Sequence, residues 1–233
     1  QGALLRRQPV GLDALPHLAD RPLHVVPRPQ PREDGPNLVV LALEHEIAGG
    51  LGKAERDEAV RCLVLTGAGK GFCAGQDLAA LRSRGDSVSF REHLQKTYNP
   101  IVSKLRAIEK PVIAQINGAA AGAGFGIALA CDLRCAAEGA KFRMAFSGVG
   151  LAPDSGTSFF LPRLIGYARA YEMAITNEPL TAEDALKWGV VNRVLPADQL
   201  ASAVREIAVK LAQAPTKAFG LTKRAMSKAF LLT

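Results

Sequence analysis

Apolar and polar positions along this chain follow two periods, one of strands and one of helices. Arg61-Cys62-Leu63-Val64-Leu65-Thr66 is a nearly continuous apolar run between a charged turn, Glu55 to Glu58, and Gly67, and predicts a buried strand. Pro111 to Ile116, rich in β-branched residues, predicts a second. Between them Leu94, Tyr98, Ile101, Val102 and Leu105 recur at three- and four-residue steps, which predicts one helix over residues 90–108. Asn37 to Leu43 has the composition of a strand, and Glu44 to Gly52 fits helix and loop equally. Further on, Asp132 to Ala136 and Lys141 to Phe146 predict two short strands, followed by a helix through Phe159 and Phe160 to about Ile165 and another over Ala168 to Ile175. Thr181 with Asp184 three residues later approximates a capping box, Gly189 ends that helix, and Val190 to Leu195 predicts a strand. Asp198 is the expected cap of a helix with Leu200, Val204, Ile207 and Leu211 on one face, and Pro215 opens the last helix. Strands and helices alternate in short units without a strict repeat, so the class is α/β.

The densest signal is the run from Asn117 to Asp132. Four glycines (Gly118, Gly122, Gly124 and Gly126) fall within nine residues, and an Ala/Ile/Leu segment that must be helical follows. Small residues at a strand-to-helix junction serve one of two ends. They admit a neighbouring element to a tightly packed helix, or they leave the first N–H groups of the helix open to a developing negative charge. Nucleotide motifs do not explain the run. Gly122 and Gly124 fit the first two glycines of a dinucleotide fingerprint, but Ile127 stands where the third belongs. Around Lys70, Val64 and Gly71 occupy the positions of a phosphate loop's first glycine and its Ser/Thr.

Composition narrows the classes. At 233 residues and 48% hydrophobic content the chain can bury one substantial core. No apolar run approaches a membrane span, and the first residues lack a secretory pattern. Cys62, Cys73, Cys131 and Cys135 form no CxxC pair and have no histidines at metal spacing, so free thiols in a reducing, cytoplasmic compartment are expected. The net charge of +7 is uneven: residues 1–60 hold 7 basic and 9 acidic side chains, which leaves 22 and 13, or +9, for the remainder. That balance suits an anionic partner, but the basic residues are scattered without an aromatic-interleaved stripe, which argues against nucleic acid. Residues 1–36, with seven prolines, read as an irregular arm ahead of a core over 37–197, with a C-terminal helical region from 198.

Four segments in order resemble the crotonase superfamily, the enoyl-CoA hydratase/isomerase family. They are Leu65-Thr66-Gly67 through Phe72-Cys73-Ala74-Gly75-Gln76-Asp77-Leu78, the Asn117–Asp132 run, Phe142 to Gly156, and Leu180 to Val194 with its Trp188-Gly189-Val190-Val191-Asn192 ending. The resemblance covers roughly residues 55 to 233. Within the family, Ala123-Gly124 and Pro153-Asp154-Ser155-Gly156 most resemble the ring-1,2-epoxyphenylacetyl-CoA isomerases of phenylacetate breakdown. It implies a spiral of ββα units with two roughly perpendicular sheets surrounded by helices, assembled as trimers or pairs of trimers. It also implies an acyl-CoA substrate with no cofactor, whose thioester oxygen accepts hydrogen bonds from the N–H groups of Ala74 and Ala123 as an enolate forms. Gly122, Gly124 and Phe146 are the expected neighbours of the acyl group, and Gln76, Asp77 and Leu78 lie where family members contact CoA.

Departures from the family pattern carry as much meaning as matches. The two glutamates with which hydratases activate water align with Gly126 and Phe146, neither of which can move a proton. Asp154 supplies a carboxylate a few residues further on, matching the aspartate of the epoxyphenylacetyl-CoA isomerases and that of the dienoyl-CoA isomerases, whose paired glutamate again aligns with Phe146. A single carboxylate can remove a proton from one carbon and return it to another. Capping a helix from Ser155 is its other possible role. Phe146, Phe159 and Phe160 are the expected desolvating neighbours of Asp154, and Asp77 is expected to order its own loop. The family's first strand is not recognisable before residue 55. The chain stops at Thr233, where members usually continue, so it reads as a truncated member. An aliphatic enoyl-CoA isomerase or hydratase, and a non-catalytic RNA-binding member of the family, are the competing assignments.

Overall fold

In the computed structural model, residues 37–42, 47–76 and 90–229 are described. Strand β2 (Val60–Thr66) explains how the rest is arranged. Its side chains alternate between two buried faces. Leu63 and Leu65 enter the main core, while Cys62 and Val64 enter a second cluster on the opposite side. A strand covered on both faces has no reason to alternate polar with apolar residues, which is why it reads as a continuous run.

Around it runs an all-parallel sheet in the order β1-β2-β3-β5-β8. Its other strands are β1 (Asn37–Ala42), β3 (Val112–Ile116), β5 (Leu133–Ala137) and β8 (Arg193–Leu195). One face is covered by α8 (Leu200–Gln213), whose Val204, Ala208 and Ala212 pack on Cys62, Val64, Ile113 and Cys135. The other face is covered by α1 (Ile47–Arg56), α3 (Tyr98–Ala107) and α4 (Ala123–Ala130), through Leu51, Leu105 and Phe125 among others. A smaller sheet joins β4 (Ala120–Ala121), β6 (Lys141–Arg143) and β7 (Leu180–Thr181), with β6 between the other two. Helices α5 (Thr157–Ile165), α6 (Tyr167–Thr176) and α7 (Ala182–Lys187) follow the second sheet's strands, and α9 (Thr216–Ala229) ends the described chain.

Several boundaries differ from the pattern reading, each for a local reason. The single helix expected over 90–108 is two, α2 (Phe90–Lys96) and α3, separated at Thr97. Pro100 has no N–H to give the carbonyl of Lys96 and its ring crowds that carbonyl, so one helix cannot run through. The strand expected to Phe146 stops at Arg143. Ala145 then turns to φ +64, where its N–H donates to Asn177 Oδ1 at 2.8 Å. The strand expected from Val190 begins at Arg193, because the N–H groups of Val190 and Val191 both return to Ala185 O (2.8 and 3.2 Å) in a turn with Gly189 at φ +78. Asp198 does not cap α8: Gln199 is the cap residue and no side chain bonds there, while Pro196 O accepts from Gln199 N and Leu200 N at 3.0 Å each. Thr181, by contrast, caps α7 as expected, its hydroxyl accepting from Asp184 N at 3.1 Å. The arm over 1–36 lies outside the described residues.

Candidate active site

Two loops meet at the start of α4. The first leaves β2 and is held to the end of β3 by Asn117, whose Oδ1 accepts from Gly67 N (3.0 Å) and whose Nδ2 donates to Gly69 O and Gly71 O (2.9 and 3.1 Å). It is then zipped to β4: Phe72 N and Cys73 N both donate to Ala119 O, and Ala121 N donates to Cys73 O at 2.9 Å. Ala74 and Gly75 come next. Gly75 has φ +89, and a methyl built on it would sit 3.2 Å from Ala123 N, so the Ala74 loop and the first residue of α4 are in van der Waals contact. No hydrogen bond among the described residues occupies the N–H of Ala74 or of Ala123. The backbone ladder of α4 opens only with Gly126 N to Gly122 O at 3.1 Å.

The opposite end of this helix is closed. Every residue of α4 is buried. The guanidinium of Arg134, 7% exposed, donates to Cys131 O and Val190 O at 2.6 Å each and reaches Leu129 O at 3.4 Å. A buried cation thus satisfies the C-terminal carbonyls, while the amides at the N-terminus stay open, so the helix dipole and the free donors both favour an anion at Ala123.

The second loop carries Asp154. Its carbonyl accepts from Thr157 N (2.8 Å) and Thr157 Oγ1 (2.6 Å), which fixes the turn into α5. The cap position of α5 is Gly156 with no side-chain bond, so the carboxylate of Asp154 is not used as a helix cap. It receives instead the Ser155 hydroxyl, Oγ to Oδ1 at 2.7 Å. The loop lies directly on α4: a methyl on Gly126 would come 2.3 Å from Ser155 O. Gly126 is one turn along from Ala123, about 4.5 Å of rise, so the loop that carries Asp154 packs on the N-terminal half of α4.

Asp154 is half-buried and borders a cavity of about 510 Å³ formed with Leu94, Gln95, Asn99, Leu151, Ala152 and Pro153. Burial raises its pKa from the usual 3.8, and the Ser155 hydrogen bond offsets part of the rise. The expected aromatic neighbours do not line this cavity, although Phe160 packs against Gly156 of the same loop. Phe146 is 6% exposed within the main core, and Phe159 and Phe160 line a different cavity of about 590 Å³ beside Leu129 and Phe219. Aliphatic and amide groups from α2, α3 and the loop itself line the Asp154 cavity instead.

Among the other candidates, Gln76 Oε1 lies 2.6 Å from His93 Nε2, tying the segment after Ala74 to α2. Asp77 and Leu78 fall outside the described residues. Gly122, at φ +53, precedes α4 and donates to Arg143 O at 3.1 Å. Gly124 abuts the Ala74 loop, where a methyl would meet Cys73 O at 2.3 Å. Neighbouring Cys73 is kept a thiol, its pKa raised by burial against the opposing hydrogen bond from Gly75. Sequence pattern did not single out Asn117, His93, Arg134 or Ser155 as parts of this arrangement. Two left a trace: Asn117 opens the glycine-rich run, and Ser155 stands next to a candidate carboxylate.

This framework has known relatives. The enoyl-CoA hydratase/isomerase family model matches residues 32–233, and the chain belongs to that family. The match starts well before residue 55, and β1, paired in register with β2, is the strand that the motifs did not reveal. The 1,2-epoxyphenylacetyl-CoA isomerase of Escherichia coli (strain K12) is 44% identical over 186 residues, 79% of this chain and 71% of that protein. The 4-chlorobenzoyl coenzyme A dehalogenase-1 of Arthrobacter sp is 42% identical over 181 residues, 76% of this chain and 65% of the dehalogenase. Among solved structures, an enoyl-CoA hydratase from Polaromonas sp. JS666 superposes with a TM-score of 0.74 at 32% identity, covering 85% of this chain and 82% of that one. One fold thus carries three named reactions, and the side chains around the open amides must decide among them.

Proposed function

We propose that this chain is an acyl-CoA isomerase whose substrate is ring-1,2-epoxyphenylacetyl-CoA. The thioester oxygen accepts hydrogen bonds from Ala74 N–H and Ala123 N–H. Asp154 takes a proton from a carbon of the acyl group, the negative charge moves onto the held oxygen, and Asp154 returns the proton to a different carbon. The proton and electrons balance within one substrate, so the step calls for no metal, nicotinamide or water. Donors fixed before the charge appears stabilise the enolate more than the ground-state thioester, which is the use of binding energy that lowers a barrier. A base with a raised pKa is better matched to work near neutrality.

The observation that carries this reading is the single carboxylate. The loop of Asp154 packs on α4 at Gly126, and its cavity holds no second ionisable side chain among the described residues, while the positions of the two hydratase glutamates hold Gly126 and the core residue Phe146. The 44% identity to an epoxyphenylacetyl-CoA isomerase supports the choice of acyl group. Gln76, Asp77 and Leu78 are the proposed contacts of the CoA moiety, and Gly122, Gly124 and Phe146 line the acyl side directly or through the backbone they support. A cytoplasmic homotrimer or pair of trimers is proposed from the family resemblance; among the described residues no helix is long and apolar enough to cross a membrane.

The test is turnover of four thioesters by the wild-type chain and by Asp154→Asn. Isomerisation of the ring epoxide, lost in the variant, is expected. Isomerisation of an aliphatic 3-enoyl-CoA alone would move the substrate to fatty-acid oxidation. Hydration of crotonyl-CoA would show the catalytic groups to be misplaced, and chloride release from 4-chlorobenzoyl-CoA would make Asp154 a nucleophile rather than a base. RNA binding without any turnover would overturn the enzyme reading.

A further inference from the structure

We infer that Ser155 is a positioning residue for the Asp154 carboxylate, held against α4 in a strained backbone conformation that only a glycine at position 126 permits. The inference rests on the assignment of Asp154 as the proton-transferring group and adds a second residue to it.

Three observations converge. The Ser155 side chain is buried, 3% exposed, yet its hydroxyl is directed to Asp154 Oδ1 at 2.7 Å rather than to a backbone carbonyl of its own turn. A buried serine hydroxyl given to a neighbouring carboxylate fixes one of its oxygens and restricts its rotation. Second, Ser155 has φ +49, a left-handed conformation that is costly for a residue with a Cβ and usually filled by Gly, Asn or Asp. Such strain persists only where the surroundings determine it. Third, those surroundings are visible. Ser155 O occupies the space over Gly126 that any side chain there would need, at 2.3 Å from a methyl, while Thr157 holds Asp154 O from the other side through both N and Oγ1. The loop is therefore clamped on both flanks of Asp154.

Among the described residues no competing charge faces the carboxyl. Leu94, Gln95 and Asn99 from α2 and α3, and Leu151, Ala152 and Pro153 from the loop, bring no ionisable side chain to the cavity, and α4 meets the loop with Gly126. Asp154 is thus governed by burial, which disfavours its charged form, and by the Ser155 hydroxyl, which favours it. Without the hydroxyl the carboxyl should hold its proton to higher pH and turn more freely.

The experiment compares Ser155→Gly and Ser155→Ala with wild type in the full chain. Both remove the hydroxyl. Glycine also relieves the strain at φ +49, so Ser155→Gly should melt at or above the wild-type temperature and Ser155→Ala should not exceed it. The readout independent of activity is the titration of the Asp154 carboxyl, followed by carbon NMR of the labelled side chain. It should rise by about one to two pH units in both variants. With a turned-over thioester, the acidic limb of kcat/KM should move up by the same amount, and kcat at neutral pH should fall roughly tenfold with KM within about twofold. An Asp154 titration that is unchanged in Ser155→Gly would overturn the inference even if activity fell. A titration that shifts while Asp154→Asn retains full activity would instead overturn the base assignment and, with it, any catalytic meaning of the bond.

Discussion

At the scale of single residues, Asp154 opposes stability to function. Its pKa in the folded chain lies above the ordinary 3.8, because burial disfavours the carboxylate. The fold therefore gains from Asp154 only while it is protonated. That contribution is complete below about 3.8 and is lost as pH rises through the raised value, so at neutral pH the ionised group is a liability. Asp154→Asn keeps the shape and can still accept from Ser155. It should melt at a temperature equal to or above wild type at pH 7 to 8, with the difference shrinking toward pH 4. Isomerisation should fall by roughly two to four orders of magnitude. A variant that is both less stable at neutral pH and still active would show the residue to be structural. Gly126 supplies the complementary test. Restoring the hydratase glutamates by Gly126→Glu with Phe146→Glu should not create a hydratase. A side chain at 126 would collide with Ser155 O, and Phe146 lies in the core at 6% exposure. Crotonyl-CoA hydration should stay at background, and the overpacking alone should cost about 1–3 kcal/mol.

Among elements, α4 shows how a short helix is made to serve a charge. Eight residues cannot hold a helix by propensity, so its stability comes from being buried all round and from its ends. Arg134 closes one end by donating to Leu129 O and Cys131 O and also donates to Val190 O beyond the helix, and no carboxylate bonds to its side chain among the described residues. Arg134→Ala should leave those buried carbonyls unsatisfied and cost about 3 kcal/mol or more, read as a lowered midpoint in urea. If the midpoint barely moved, water must replace the guanidinium and the closed end of the helix is not as argued. The same elements show what the sequence made legible. β2, β3 and α4 were readable because each is covered on all sides and so uninterrupted in its apolar run. The pairing of Thr181 with Asp184 was readable because a cap is a local bond. β4 was not: two alanines form a strand only because Phe142 and Arg143 of β6, 22 residues later, pair with them and Cys73, 47 residues earlier, bridges to Ala120. The close approach of Ser155 to Gly126 was equally hidden, since a contact across 29 positions leaves no period behind. What the motif did retain was the glycine, whose reason appears only once the loop is seen above it.

For the whole molecule, the outward face of α6 carries a stripe of large exposed side chains. Tyr167, Tyr171 and Ile175 recur every four residues and are 72%, 53% and 59% exposed, and the two tyrosine rings stack at 5.6 Å and 12°. Large apolar side chains repeated along one helical stripe are a poor match for water and a common property of interfaces. The trimer or pair of trimers proposed from the family resemblance should bury this stripe. Light scattering on the wild-type chain should then report a multiple of the 24.7 kDa protomer mass. Tyr171→Arg together with Ile175→Asp should return the protomer mass at micromolar concentration, while the NMR titration of Asp154 stays as in wild type, because α6 contributes nothing to the cavity around that carboxylate. A wild-type chain that scatters as a single protomer would remove the assembly from the proposal. A double variant that keeps the multiple would leave assembly intact and place the interface on a different face. Loss of assembly with loss of the Asp154 titration would show that the loop on α4 is held in place by neighbouring copies, and that its clamps within one chain are insufficient.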